Sequence, residues 1–353
     1  MPSTPPPSSD RRQRRLEQSR ADRERRSGGA GGPRRLSSRP LVVVLGLAVV
    51  AAVLVVVFVS TSSKPPPATR ATAVLHTLFK LPSASAVAEG DGAGFATDDL
   101  RSLLVSFDPS TGHQRGSVHL MGRPVALLLL GRDLWVADMV SDTVQEVDAR
   151  SLKVVRSVAV PAGPSGLAVL GGQIWVSSLT AGSVSPIDPA NGHVGSAVPV
   201  PGGAVRIAAG FGALWLTGTT DQLTEVQPGG AEGIPLLHAI STGTGPIGVT
   251  TGLGSVWVAN AAGGTVARVD PATRRVIHTY RTGGDPLALA VSGGRLWLAD
   301  GSAERLRTLF PAPGVGPVEL ASSPRALLAV GSQMWIATAN PGRVVEATVS
   351  RGP

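Results

Sequence analysis

Three residues after each of seven regularly spaced aromatic side chains the sequence carries Asp98, Asp138, Ser178, Gly218, Asn260, Asp300 and Thr338. Oxygen atoms from several such positions, gathered on one axis, would suit Ca²⁺ or Mg²⁺, hard cations that take about six to eight oxygens. The competing reading is that Asp and Asn at strand ends close turns by accepting hydrogen bonds from nearby backbone amides. The drift from Asp to Gly along the series favours that reading. Arg123, Arg206 and Arg325 sit in the segments that lead into the preceding strand of their units, so chain direction places them on the same face. The candidate ligand-binding set is therefore Asp98, Asp138, Asn260, Asp300, Arg123, Arg206 and Arg325, with no residue assigned to catalysis or to a metal. Glu89 is the only acid expected on an innermost strand.

Histidines offer little. His113, His119, His193, His238 and His278 lie 18 to 24 residues after the aromatic of their unit, and His76 precedes the first unit. That spacing puts all of them on outer strands or the turns entering them, as surface residues. Gly243-x-Gly245-x-x-Gly248 spells a dinucleotide fingerprint, but a strand follows it and no helix N-terminus is there to hold phosphate. No Gly-x-Ser-x-Gly elbow or His-Glu-x-x-His occurs, and none of the three lysines follows a glycine. With no cysteine in 353 residues, disulfides, thiol nucleophiles and Cys-ligated metals are excluded.

These residues are positioned by a repeat. The six tryptophans, Trp135, Trp175, Trp215, Trp257, Trp297 and Trp335, are spaced 40, 40, 42, 40 and 38 residues apart, and Phe95 stands one period earlier. Prolines 11 residues before the aromatic (Pro124, Pro164, Pro246, Pro286, Pro324) keep step with it. So do Gly pairs such as Gly171-Gly172 and turns such as Asp108-Pro109, Asp188-Pro189 and Asp270-Pro271. A period near 40 made of short Val-, Ile-, Leu- and Thr-rich runs between turn residues reads as four strands per unit. Blade three, for example, should have strands at 166–170, 173–177, a third ending at Asp188, and 193–200. The tryptophan strand is apolar on both faces, which suits sheets packed radially: an all-β, seven-bladed β-propeller, the count resting on the Phe95 unit. The last unit stops at 345–350 after three strands, and 71–81 resembles an outer strand. An N-terminal strand should therefore close the last blade.

Gly245-Pro246, Trp257-Val258-Ala259-Asn260 and Thr265-Val266-x-x-Val269-Asp270-Pro271 together resemble the bacterial YVTN and virginiamycin B lyase-like propeller repeats over about residues 71–350. The resemblance implies the fold. Lyase-type members use metal-assisted His/Glu chemistry on the propeller face, and lactonase-like propellers hold a cation there. The histidines of this chain have no match to that pattern, so lyase activity is not carried over.

Residues 1–40 hold eleven Arg and four acids, +7 of the total +8, and form an Arg-rich tail with no apolar face, expected to be disordered. Residues 41–59 contain no polar side chain and match a transmembrane helix; the Arg-rich flank puts the tail in the cytoplasm. An uncleaved signal anchor is the better reading than a cleaved signal peptide. Residues 60–70, with Pro65–Pro67, form a linker. The remainder is close to neutral, so the nucleic-acid reading invited by the overall charge falls. The tail sets topology, with anionic lipid, or nucleic acid or a cytosolic partner, as further readings. The chain is thus expected to be a single-pass protein of the cell membrane whose extracytoplasmic propeller (71–350) is a non-enzymatic binding or sensing scaffold. Its partners would be an envelope protein or a small molecule, and no cofactor is expected. The alternative is a metal-dependent lyase or lactonase-type enzyme using Ca²⁺ or Mg²⁺ on the propeller face.

Overall fold

The computed structural model describes residues 72–229, 234–311 and 315–350. The tail (1–40), apolar segment (41–59) and linker (60–70) lie outside the described residues. Among the described residues no helix is long and apolar enough to cross a membrane.

Seven four-stranded antiparallel sheets follow one another along the chain. In blade two, Pro124–Leu130, Asp133–Asp138, Thr143–Asp148 and Val154–Ala159 run from the axis outward. Trp135 faces Leu128 on the inner strand and Glu146 on the third. The two apolar faces of its strand serve two interfaces. Leu134 and Val136 pack with Phe95 and Leu104 of blade one, whereas Trp135 and Ala137 pack with Ile174 and Val176 of blade three. The Phe95 unit is a complete blade, Ala84–Gly90, Ala93–Asp98, Leu103–Phe107 and Gln114–His119.

Each aromatic is 7% exposed or less. Four tryptophans donate their indole N–H to the carbonyl five residues earlier, where the inner strand turns back: Trp175 to Leu170, Trp215 to Gly210, Trp257 to Gly252 and Trp297 to Ser292, at 2.9–3.4 Å. A buried indole thereby satisfies its one polar group.

Blade seven comprises Ser323–Val330, Gln333–Ala339, Arg343–Ser350 and, outermost, Thr72–Lys80. The register runs from Thr72 opposite Ser350 to Lys80 opposite Arg343. Leu78 and Leu81 enter the core shared with Phe107 and Trp335, so the closing segment is packed as well as hydrogen-bonded.

The outer strand of blade three is shorter than its sequence suggests. Only Val198–Pro199 is strand, with a lone bridge between Ile187 and Val194. Pro186, in the third strand, has no N–H to offer, and its carbonyl instead accepts from Gly195 N at 2.8 Å, so the ladder breaks there.

Candidate functional site

The residues three places after the aromatics close their strands, and all that carry a side chain are buried to 1% exposure or less. Asp138 Oδ1 accepts from the amides of Arg123 (2.7 Å), Val140 (3.3 Å) and Ser141 (3.3 Å). Asp300 Oδ1 accepts from Asp285 N and Ala303 N, both at 3.1 Å, and Asp98 Oδ1 from Leu100 N and Arg101 N. Asn260 binds Thr242 O at 2.9 Å and Thr265 Oγ1 at 3.1 Å. In blades two, five and six the side chain therefore pins the loop arriving from the previous blade onto the hairpin it terminates. Glycines make room for it: a Cβ on Gly122 would lie 2.7 Å from Asp138 Oδ1, and one on Gly284 would collide with the Asp300 carboxylate. The second oxygen of Asp98, Asp138 and Asp300 is buried and makes no hydrogen bond. Arg305 Nη2 stands 4.0 Å from that of Asp300. Among the described residues no three His, Asp or Glu side chains are grouped as metal ligands.

The arginines behave differently. Arg123, 45% exposed, reaches back to blade one and binds Asp99 Oδ2 through Nε (3.1 Å) and Nη2 (2.9 Å). Ser83 Oγ donates to the other Asp99 oxygen. Burial alone would raise the Asp99 pKa, but Ser83, Arg123 and the nearby charge of Arg325 outweigh it and hold the carboxyl below its ordinary value. Sequence reasoning passed over Asp99, whose only signal is that it follows Asp98.

Arg206 and Arg325 stand at the axis. The innermost strands of blades four to seven enclose a cavity of about 400 Å³ lined by both arginines and by apolar residues including Ile207, Ile247, Val249 and Leu327. Both arginines are exposed to solvent, although protein atoms surround the Arg206 guanidinium closely enough to reduce its hydration. That loss of bulk hydration, and then the charge of Arg325, holds its pKa below the usual arginine value, although it stays a cation at neutral pH. Its Nη1 donates only to the carbonyls of Ser165 and Val205, both at 3.3 Å. Among the described residues neither Arg206 nor Arg325 meets a carboxylate.

The histidines lie on outer strands or their turns: His76, His119, His238 and His278 are in strands Thr72–Lys80, Gln114–His119, Leu236–Ser241 and Arg275–Arg281. Glu89 is on the inner strand Ala84–Gly90, near its far end. The Gly243–Gly248 motif leads into the strand Pro246–Gly252, and a Cβ on Gly243 would meet Asn260. These glycines serve packing.

An axial cavity inside seven radial sheets defines the class of protein as a seven-bladed β-propeller, and the comparisons with known proteins agree. No protein-family model matches the chain, and no curated protein matches it by sequence. Among solved structures it is similar to a catalytically inactive virginiamycin B lyase from Staphylococcus aureus determined with quinupristin, with a TM-score of 0.69 and 16% identity over 79% of this chain and 100% of that one. A streptogramin B lyase gives a TM-score of 0.68 at 15% identity, covering 79% and 98%. The WD40 repeats of RRP9 give 0.67 at 12%, covering 78% and 97%. At these identities the likeness is one of fold.

Proposed function

We propose that the protein is a membrane-anchored, extracytoplasmic propeller of the cell envelope that binds its ligand at the axial mouth without transforming it. The observation that carries this reading is what converges on the axis: two fixed cations, Arg206 and Arg325, among apolar walls. The titratable candidates are engaged elsewhere, the carboxylates in strand-end turns and the histidines on outer strands. Such a mouth can attract and hold a ligand, but among the described residues it presents no paired acid and base to move a proton. The anchoring half of the proposal rests on residues 41–59 and the Arg-rich flank before them.

The enzymatic alternative draws on the fold likeness to the two lyases and on the three buried carboxylate oxygens without hydrogen bonds. One experiment separates the two. The melting temperature of the full chain is measured with chelator, then with Ca²⁺ or Mg²⁺ restored. The binding-scaffold reading expects no change. A chelator-sensitive shift of several degrees, abolished in Asp138→Ala and Asp300→Ala, would transfer the assignment to the enzyme, since a ligand specific for the folded state adds roughly 2.7 kcal/mol at a hundred times its Kd. Protease treatment of intact cells tests the topology: the propeller should be reached from outside and the tail should be protected.

A further inference from the structure

We propose that the axial cavity is a binding site for a small organic anion, a carboxylate carried on an apolar body, clamped between Arg206 and Arg325. The proposal rests on the binding-scaffold reading and deepens it by naming the ligand class.

The first argument is position. Arg206 pairs with Thr217, a register place held in the other six blades by Ala86, Ala126, Gly166, Gly248, Ala288 and Ala326. Small residues are the rule there because the inner strands crowd together: a Cβ on Gly248 would lie 2.7 Å from Leu287 O. One blade in seven breaks the rule, and it does so with a long cation. Arg325 is a bulge residue at the start of the blade-seven inner strand, where the register shifts between Pro324 and Ala326. Six of the seven blades bulge at this place, so what sets blade seven apart is the cation it presents there and not the bulge.

The second argument is electrostatic. Blades four and seven lie on opposite sides of the ring, so the two guanidinium groups approach from opposite walls. Neither makes an ion pair among the described residues; Arg325 is near enough to Asp99 to help lower its pKa, but the Asp99 oxygens are already bound by Ser83 and Arg123. Glu89, near the far end of its inner strand, makes no ion pair with either of them among the described residues. Both side chains are exposed to the cavity and the charge of Arg325 is felt at Arg206, so an anion entering the cavity would meet two cations at once. A carboxylate offers two oxygens that match the planar guanidinium fork.

The third argument is the lining. Ile207, Ile247, Val249, Leu287 and Leu327 give an apolar surround, and about 400 Å³ falls at the small end of ligand sites. The site therefore calls for an apolar body with one anionic group rather than a bare inorganic ion.

The test is calorimetric titration of the full chain in an uncharged detergent with three probes: 3-phenylpropionate, its amide 3-phenylpropanamide, and inorganic phosphate. Saturable binding of the carboxylate, weakened at least tenfold in the amide and in Arg206→Ala or Arg325→Gln, is the expected result; charged hydrogen bonds support a loss of about ten- to a hundredfold. Arg325→Gln should also melt close to the parent temperature, because the repulsion lost at Arg206 offsets the attraction lost at Asp99; a structural arginine would give a lower melt. Binding that survives both substitutions, equal binding of the amide, phosphate binding as tightly as the carboxylate, or no binding at all would each overturn the site. The scaffold reading would still stand on its metal-independence. Disappearance of the probe in a parallel NMR time course would instead overturn the non-enzymatic reading while leaving the site in place.

Discussion

Asp138 shows how a side chain suited to chemistry is consumed by architecture. Its Oδ1 receives three backbone amides, one of them from the interblade loop at Arg123. Asp138→Ala should therefore cost about 2 kcal/mol in urea unfolding, the scale of a buried, charge-assisted cap, whether or not divalent ions are present. Gly122→Ala attacks the same contact from the other side, with φ at 95° and 2.7 Å between the new Cβ and Asp138 Oδ1. The double variant should lose less than the sum of the singles, because both break one joint. Asp99 supplies the pH dependence. Its folded pKa lies below the ordinary 3.8, so its contribution is complete above about pH 4 and is lost as pH falls through the folded value. The stability gap between parent and Asp99→Asn should close under acid, and a gap unchanged down to pH 2 would sink the Asp99–Arg123 account.

At the scale of the strand, four of the six tryptophans are both wedge and hydrogen-bond donor, whereas the buried Trp335 indole N–H has no partner among the described residues. Trp257→Phe keeps most of the wedge but leaves Gly252 O without its donor, 2.9 Å away in the parent. A loss of about 1–2 kcal/mol should follow in thermal or chemical unfolding. Blade one is the natural control. It carries Phe95, and a cavity of about 300 Å³ opens beside that ring, bordered by Gly90, Ser106 and Leu152. Phe95→Trp has space there and an acceptor at Gly90, five residues earlier, so it should raise stability by about 1 kcal/mol. This level was also the most legible from sequence. The period of the aromatics, the prolines 11 residues ahead of them and the Asp-Pro turns are local signals repeated down the chain. Propeller strands are joined by tight turns, so local pattern and final pairing coincide. The short outer strand of blade three escaped because Pro186 acts on its neighbour across the sheet, not on its own strand.

For the whole molecule, the face that carries the candidates was readable from chain direction, but their roles were not. Asp138 and Arg325 both lie at strand ends on that face, and only the three-dimensional register shows the first turned into its own hairpin and the second at the axis. Likewise, nothing local marks Arg206 as facing a residue from a blade three units later. Ring closure was inferred from an incomplete last unit, and it sets the next expectation. Leu78→Asp, which places a charge in the core with Phe107 and Trp335, should destabilise the entire propeller in one transition instead of loosening a single blade. Separate melting of blade seven by near-UV circular dichroism would contradict that.

The closing strand also dictates an order of events during synthesis. Thr72–Lys80 is the first strand made and Arg343–Ser350, its partner, the last among the described residues. About 280 residues separate Thr72 from Ser350, so at roughly 5–20 residues per second the early strand waits some 15–55 s with its backbone groups unclaimed. During that time the late strand of a neighbouring nascent chain can compete with its own, and exchanged dimers are the expected by-product where translation is crowded. Rejoining the chain so that 72–80 follows 350 directly should abolish the wait, speed refolding and leave monomers alone in size-exclusion profiles.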